Sequence, residues 1–395
     1  MQFDRNVTEF PTMLHRDLYM RALRLVPPDV SLAEIEKTDP EMAASGREYY
    51  QFMLELLGDM YCNPELYGMT PGAYEDFAAG RKYGYIRLRV KETGDYYDLA
   101  GAQISSYLRF IQEIALHCSI TDGQCYLTYD DFEKVKDLKR VTPVKGQHLL
   151  ISIETVMRTL ERSGLHYRDC GDRIQVVSEK YPNLFLSASA LAKAVEETIL
   201  HPVSKKLKYY FGEYIDTLEF RLLQGIYYPD FEDHIRSLSD QNRELVKALD
   251  AMAKEMGLRP NYKEPKYGFE YKYKGKDVMI VWTDNDAWFT EPGSKQKNWK
   301  RHVFVRIFGP VNSSYLENVE NNGEDFKEYF MKHLNLCSGC TPYHLADTSA
   351  IRYIFGRKVR FCSADIGGNI HGISEGDLPY IKQYIELRIK EITCA

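Results

Sequence analysis

The sequence predicts an α+β protein, in which a mainly helical N-terminal region precedes a C-terminal antiparallel-sheet domain of order β-β-β-α-β-β-α. Apolar residues recur at helical spacing through most of the first 256 residues, and they alternate after Gly257. No strand–helix–strand repeat accompanies the alternation. We therefore expect an antiparallel sheet with helices on one face.

Length and composition limit the class of protein. A chain of 395 residues exceeds one ordinary core, and its 44% hydrophobic and 27% charged residues are typical of a globular protein. The net charge of −6 argues against nucleic-acid binding over the whole surface. The start of the chain has no secretory pattern and no apolar run reaches membrane length, so we expect a cytoplasmic protein without a membrane partner.

The N-terminal region, residues 1–256, is predicted to consist mainly of helices. Helical spacing is clearest in AASGREYYQFMLELLGDMY, in DLAGAQISSYLRFIQEIALHC and in NRELVKALDAMAKEM. Residues 97–180 predict a smaller helix-hairpin unit, because LHYRDCGDRIQVV alternates around Cys170-Gly171-Asp172. Three helices followed by a hairpin would resemble a winged helix in outline, although the third helix is less basic than groove-reading helices are.

The C-terminal domain, residues 257–395, is predicted to begin after the linker-like stretch GLRPNYKEPKYG. A hairpin turning at Lys274-Gly275 comes first, and the strand HVFVRIFG and the helix EDFKEYFMKHLN follow. A second hairpin turns at Gly356, and the helix EGDLPYIKQYIELRIKEI closes the domain. These elements give the predicted order.

Three late cysteines suggest a structural zinc site. Cys337 and Cys340 have the spacing of a zinc knuckle, and Cys362 ends a predicted strand. We expect His344 as the fourth ligand, with His371 and Asp365 as alternatives. Two other interpretations stay open: a redox pair, which the preceding helix C-terminus disfavours by opposing a thiolate, and packed free thiols.

A ligand surface is predicted on the C-terminal sheet, where aromatic side chains are concentrated. The predicted ligand-binding residues are Tyr271, Tyr273, Trp282, Trp288 and His371. Aromatic rings with polar tips suit half-wet binding surfaces. The serine of GISEG, Ser374, fits a helix N-cap better than a nucleophile, since no histidine follows it.

These patterns favour a non-catalytic binding or regulatory protein that holds a small molecule or a protein partner. One alternative is an enzyme with a cleft between the two regions, using His344, His371 and Asp365. A second alternative is a nucleic-acid-associated regulator, which would use the winged-helix-like unit or the basic aromatic hairpin with Lys272, Lys274 and Lys276.

Overall fold

The computed structural model describes most of the chain. The described residues are 1–69, 87–89, 96–136, 152–200, 216–225, 227–263, 268–283, 299–310, 313–334, 351–360 and 367–394. They form an α+β fold, with helices mostly in the N-terminal part and antiparallel sheets in the C-terminal half, so the predicted fold class is confirmed.

The helices before residue 201 pack around one apolar cluster. They are α1 (Met13–Arg24), α2 (Pro28–Ser31), α3 (Ile35–Thr38), α4 (Pro40–Cys62), α5 (Leu99–His117), α6 (Tyr129–Lys136), α7 (Ile153–Arg162) and α8 (Leu184–Leu200). The long helix α4 begins where Asp39 accepts a hydrogen bond from the Met42 amide, with Pro40 in the first turn. Its apolar face packs against α1 and α8, as its helical spacing predicts.

A four-stranded antiparallel sheet lies within this helical part. Its strands are β4 (Ser119–Thr121), β5 (Gln124–Thr128), β6 (Leu165–Asp169) and β7 (Arg173–Ser178), in the spatial order β4-β5-β7-β6. The β6–β7 hairpin is the predicted one. The β4–β5 hairpin was not predicted; its turn is formed by Asp122 and Gly123, both with positive φ. Before it, β1 (Glu9–Phe10), β2 (Arg87–Arg89) and β3 (Tyr96–Asp98) are short.

A five-stranded antiparallel sheet organises the C-terminal part. It contains β8 (Arg259–Asn261), β9 (Gly268–Tyr273), β10 (Lys276–Trp282), β12 (Phe304–Ile307) and β15 (Asn369–His371), in the spatial order β15-β12-β10-β9-β8. The remaining strands are β11 (Trp299–Lys300), which pairs with β1, and the hairpin of β13 (Ile351–Ile354) and β14 (Arg357–Arg360). Helices α9 (Phe231–Ile235), α10 (Asp240–Glu255), α11 (Ser313–Asn321), α12 (Glu324–Lys332) and α13 (Leu378–Cys394) complete this part.

The predicted strand order is incomplete. Strand β8 lies inside the stretch expected to be a linker, and β15 lies inside a glycine-rich stretch expected to be a loop. Both are three residues long, too short for alternation to reveal them. They belong to the sheet because β8 pairs with β9 and β15 pairs with β12.

One face of the five-stranded sheet is the core face. Its cross-strand rows are Phe269–Val281–Val305–Ile370 and Tyr271–Met279–Ile307, and all seven side chains are buried. Helices α10 and α13 contact the sheet, and their apolar residues join the same cluster. This face therefore stabilises the fold and is closed to a ligand.

The buried apolar residues form two clusters along the chain. The first runs from Phe10 to Leu222 and the second from Ile235 to Leu387. Helix α10 contributes to the second cluster. The division into domains of residues 1–256 and 257–395 stays a prediction.

The N-terminal residues contact the C-terminal part directly. The Arg301 amide donates to the Thr8 carbonyl at 2.9 Å, and the Arg301 guanidinium donates to the Arg5 carbonyl at 3.0 Å and to the Ser237 carbonyl. Arg301 is buried. It therefore joins the segment just before β1 to Ser237, which lies between two residues of the second cluster.

Within the part of the chain that the structure describes, no helix has both the length and the apolar character that a membrane crossing requires.

Candidate functional site

The second face of the five-stranded sheet carries a continuous row of rings. Trp282 on β10 lies opposite Phe304 on β12, and Phe304 lies opposite His371 on β15. Directly opposed residues of antiparallel strands project from the same face. We call Trp282, Phe304 and His371 the aromatic row.

Neighbouring rings of the aromatic row are in contact and inclined to each other by about 30°. The Trp282 and Phe304 ring centroids are 4.9 Å apart at an interplanar angle of 29°, and those of Phe304 and His371 are 4.4 Å apart at 30°. Phe304 is buried between its neighbours, whereas Trp282 and His371 are half-buried. The row is thus a platform with a shielded centre and two partly accessible ends.

Gly268 on β9 leaves room for Trp282 on the neighbouring strand β10. The two residues are opposed in the ladder, and a Cβ at Gly268 would lie 2.5 Å from the Val281 carbonyl oxygen and 3.1 Å from the Trp282 Cα. No side chain fits such an approach to backbone atoms. Only glycine lets β9 run beside Trp282 at this spacing.

A polar row lies beside the aromatic row on the same face. It consists of Glu270, Ile280, Arg306 and Asn369, which are opposed on β9, β10, β12 and β15, and all four are half-buried. The Arg306 guanidinium lies 5.3 Å from the Phe308 ring centroid. The two rows therefore combine aromatic rings with a carboxylate, a guanidinium and an amide.

His371 is neutral at ordinary pH. Burial, together with the neighbouring His302 and His333, lowers the pKa of His371 to about 4. The His302 and His371 ring centroids are 5.7 Å apart, and His333 ends α12 with its ring 4.4 Å from that of Tyr329. A neutral imidazole has one donor nitrogen and one acceptor nitrogen.

Ser374 caps the turn before the last helix, as the sequence predicts. The Asp377 carboxylate accepts hydrogen bonds from the Ser374 amide at 2.8 Å, the Ser374 hydroxyl at 2.6 Å and the Tyr329 hydroxyl at 2.7 Å. A hydroxyl that donates to a carboxylate in a capping box is held in a structural role.

The predicted ligand-binding residues separate onto two faces. Trp282 and His371 belong to the aromatic row, while Tyr271 is fully buried on the core face and donates to Asp250 at 2.6 Å. Tyr273 packs against the same core cluster. Trp288 lies outside the described residues. Sequence reasoning missed Phe304 and Gly268, since only the strand register shows that they adjoin Trp282.

The predicted zinc ligands Cys337, Cys340, His344 and Cys362 lie outside the described residues, and so does Asp365. The described residues contain no group of three or more His, Cys, Asp or Glu side chains arranged to hold a metal ion.

In the predicted basic hairpin, one of the three lysines is close to carboxylates. Lys272 is 3.1 Å from the Asp277 carboxylate and 3.7 Å from the Glu270 carboxylate. Lys274 and Lys276 are exposed at the turn. Such spacing is typical of solvated strand ends, where lysines also discourage pairing with other chains.

Comparison with known proteins finds no matching family model, no significantly similar curated protein and no significantly similar solved structure. We therefore infer a function from the geometry of the site alone.

Proposed function

We propose that the protein is a non-catalytic binding protein, whose C-terminal sheet holds a ligand with a planar ring against the aromatic row. The observation that carries the proposal is the stack of Trp282, Phe304 and His371 on the face opposite the core. A planar ring gains dispersion and quadrupole contacts against a partly accessible end ring of the row, Trp282 or His371.

The polar row supports a ligand that also carries polar or anionic groups. Arg306 attracts anions, and Glu270 and Asn369 accept hydrogen bonds from ring amines. A few polar groups beside a larger apolar surface are typical of small-molecule sites. A nucleobase or a similar heterocycle with an acidic substituent matches this combination.

Adenosine monophosphate is a suitable probe, and ribose 5-phosphate, which lacks the ring, is its matched control. Isothermal titration calorimetry should detect binding of the first and not of the second. Trp282→Leu should weaken the binding about tenfold or more, because stacking of one base on an aromatic side chain contributes about 1–3 kcal/mol.

Tyr353→Leu is the matched control variant. Tyr353 is 72% exposed on β13, outside the five-stranded sheet, so its loss should leave the affinity unchanged. If neither adenosine monophosphate nor flavin mononucleotide binds, or if the two variants weaken binding equally, the proposal is wrong.

We also propose that a structural zinc ion is held by Cys337, Cys340, Cys362 and His344. Its support in the described residues is an antiparallel bridge between Leu334 and Gly368. Such a bridge brings two chain segments to about 4.5–5.5 Å between Cα atoms. In the sequence, Cys337 follows Leu334 by three residues and Cys362 precedes Gly368 by six.

Elemental analysis of the purified protein should find about one zinc per chain for this coordination. Cys337→Ser should lose the metal, and Cys170→Ser should retain it, because Cys170 is an exposed thiol on the β6–β7 turn. Zinc retained in Cys337→Ser, or a folded protein purified without zinc, would contradict the proposal.

A further inference from the structure

The hairpin of β13 and β14 concentrates positive charge in a chain whose formal net charge is −6. The sequence has no Asp or Glu from residue 348 to residue 364. Four cationic residues lie in that stretch: Arg352, Arg357, Lys358 and Arg360. The β9–β10 hairpin differs, because its Lys272 lies beside two carboxylates. We call residues 351–360 the cationic hairpin.

The turn and the inner face of the cationic hairpin hold it against the core. Phe355 and Gly356 form a two-residue turn with φ of +47° and +75°. The Phe355 ring centroid lies 6.1 Å from that of Phe330 on α12. Ile354 is buried in the second apolar cluster, and Val359 packs against the same cluster. Apolar side chains therefore fix the position of the hairpin.

The opposite face of the cationic hairpin is open to solvent. Tyr353 is opposed to Lys358 in the ladder, and Arg360 lies two residues further along β14, so the three residues share a face. Tyr353 is the most exposed large hydrophobic residue that the structure describes, Lys358 is exposed, and Arg360 is half-buried. Arg357 is exposed beside the turn. An aromatic ring and several cations therefore lie together at the surface.

We propose that the cationic hairpin binds single-stranded nucleic acid, with a base stacked on Tyr353 and phosphates bound by Arg357 and Lys358. Unpaired bases stack on exposed aromatic rings, and neighbouring cations follow the phosphate backbone. The positive charge selects a polyanion, and the exposed ring favours a nucleic acid over an acidic peptide. The hairpin is a two-stranded sheet of its own, so this surface is separate from the aromatic row.

Fluorescence anisotropy of the full-length protein with a labelled oligothymidylate tests the proposal. An oligomer of about 12 nucleotides is within the usual footprint of single-strand surfaces. The association constant should fall as salt increases, with a slope of log K against log salt of about −0.7 for each phosphate contact. Two or three contacts give a slope between about −1.4 and −2.1. No binding at low salt, or binding that salt does not weaken, would overturn the proposal.

Lys358→Gln tests the phosphate contacts. The substitution should weaken oligothymidylate binding and make the salt slope shallower by about 0.7, because it removes one cation from the surface. Lys274→Gln is the matched control, since Lys274 is exposed at the turn of the β9–β10 hairpin. It should leave both the affinity and the slope unchanged. Equal effects of the two substitutions would assign the binding to overall charge and contradict the proposal.

Tyr353→Leu tests the stacked base. It should weaken oligothymidylate binding about tenfold without changing the salt slope, because it removes a ring and no charge. Polyglutamate, which has the charge and lacks the bases, is the matched ligand and should bind more weakly than oligothymidylate. If polyglutamate of equal charge binds as tightly, the partner is an acidic protein segment and the proposal is wrong.

A comparison with Trp282→Leu separates the cationic hairpin from the aromatic row. Oligothymidylate binding should weaken more in Tyr353→Leu than in Trp282→Leu, and binding of adenosine monophosphate should show the reverse order. A mononucleotide has a single phosphate group, so it should bind the cationic hairpin too weakly for calorimetry to detect. A larger loss of oligothymidylate binding in Trp282→Leu would place the nucleic acid on the aromatic row and overturn the proposal.

Discussion

At the scale of single residues, His371 shows how its neighbours set the chemistry of the face. It is half-buried at one end of the aromatic row, and two further histidines, His302 and His333, act on it. Burial and like charges both disfavour the imidazolium. The fold therefore holds a ring that stacks on Phe304 and remains uncharged above pH 5.

The low pKa of His371 predicts a loss of stability in acid. The folded-state pKa is about 4, below the unfolded value of about 6.5, so the unfolded chain binds more protons between these limits. Stability should then fall as the pH decreases from 6.5 to 4, with a slope from this group of up to about 1.4 kcal/mol per pH unit.

Urea unfolding of His371→Phe at several pH values measures this contribution. The variant keeps a ring in the row and cannot titrate, so its stability should depend less steeply on pH than that of the wild type. His166→Phe on β6 is the control, since its ring lies in the other sheet. Parallel curves for wild type and His371→Phe would show that His371 does not supply the slope.

At the scale of secondary-structure elements, one carboxylate fixes α10 to the sheet. Asp250 accepts hydrogen bonds from the Tyr262 hydroxyl at 2.5 Å and the Tyr271 hydroxyl at 2.6 Å, and lies 2.7 Å from the Lys254 ammonium. Burial, and then Asp250, raises the pKa of Tyr262 to about 12. Helix and sheet are thus joined by polar contacts inside an apolar cluster.

Asp250→Ala should destabilise the protein by about 1–3 kcal/mol, because the fully buried Tyr271 hydroxyl loses its acceptor. Adding Tyr271→Phe should recover part of the loss, since the unsatisfied hydroxyl is then absent. Urea unfolding measures both.

Glu244→Ala is the matched control on the same helix. Its exposed carboxylate is 3.0 Å from the Lys247 ammonium, and such pairs contribute less than about 1 kcal/mol. An effect of Asp250→Ala no larger than that of the control would mean that these polar contacts do not hold the helix.

The sequence predicts elements better than it predicts which face a residue occupies. The helix spacing of α4, α5, α10 and α13 and the two C-terminal hairpins are clear from the sequence alone. The sequence does not show which face of the sheet each residue occupies, because the register of β9 and β10 shifts between Asp277 and Met279. That irregularity places Trp282 opposite Gly268, whereas Tyr271 lies opposite Met279 on the core face. Pattern alone cannot reveal such a shift.

At the scale of the whole molecule, the first residues of the chain connect the two apolar clusters. Strand β1 pairs with β11, and Arg301 donates to carbonyls of Arg5 and Ser237. The Arg5 guanidinium also lies 2.5 Å from the Asp240 carboxylate at the start of α10. No local pattern predicts this contact, since the partners are more than 230 residues apart.

Arg301→Gln should separate the unfolding of the two clusters. The substitution removes a buried donor to carbonyl groups on both sides, so differential scanning calorimetry should resolve two transitions in place of one. Such a result would also test the predicted division into two domains.

Arg388→Gln is the control, because the Arg388 guanidinium donates to the Asp277 carbonyl at 3.2 Å within the second cluster alone. It should lower the stability of that cluster without adding a transition. A single transition retained in Arg301→Gln would show that other contacts couple the clusters.

The outermost strands of the five-stranded sheet have a consequence for association. Strand β8 contains Pro260, which has no amide hydrogen to offer, and β15 is three residues long. An extended peptide that tried to prolong the ladder at either edge would find few hydrogen-bonding groups. We therefore expect this sheet to resist edge-to-edge aggregation, and we expect the proposed ligand to bind at the aromatic row and not at a sheet edge.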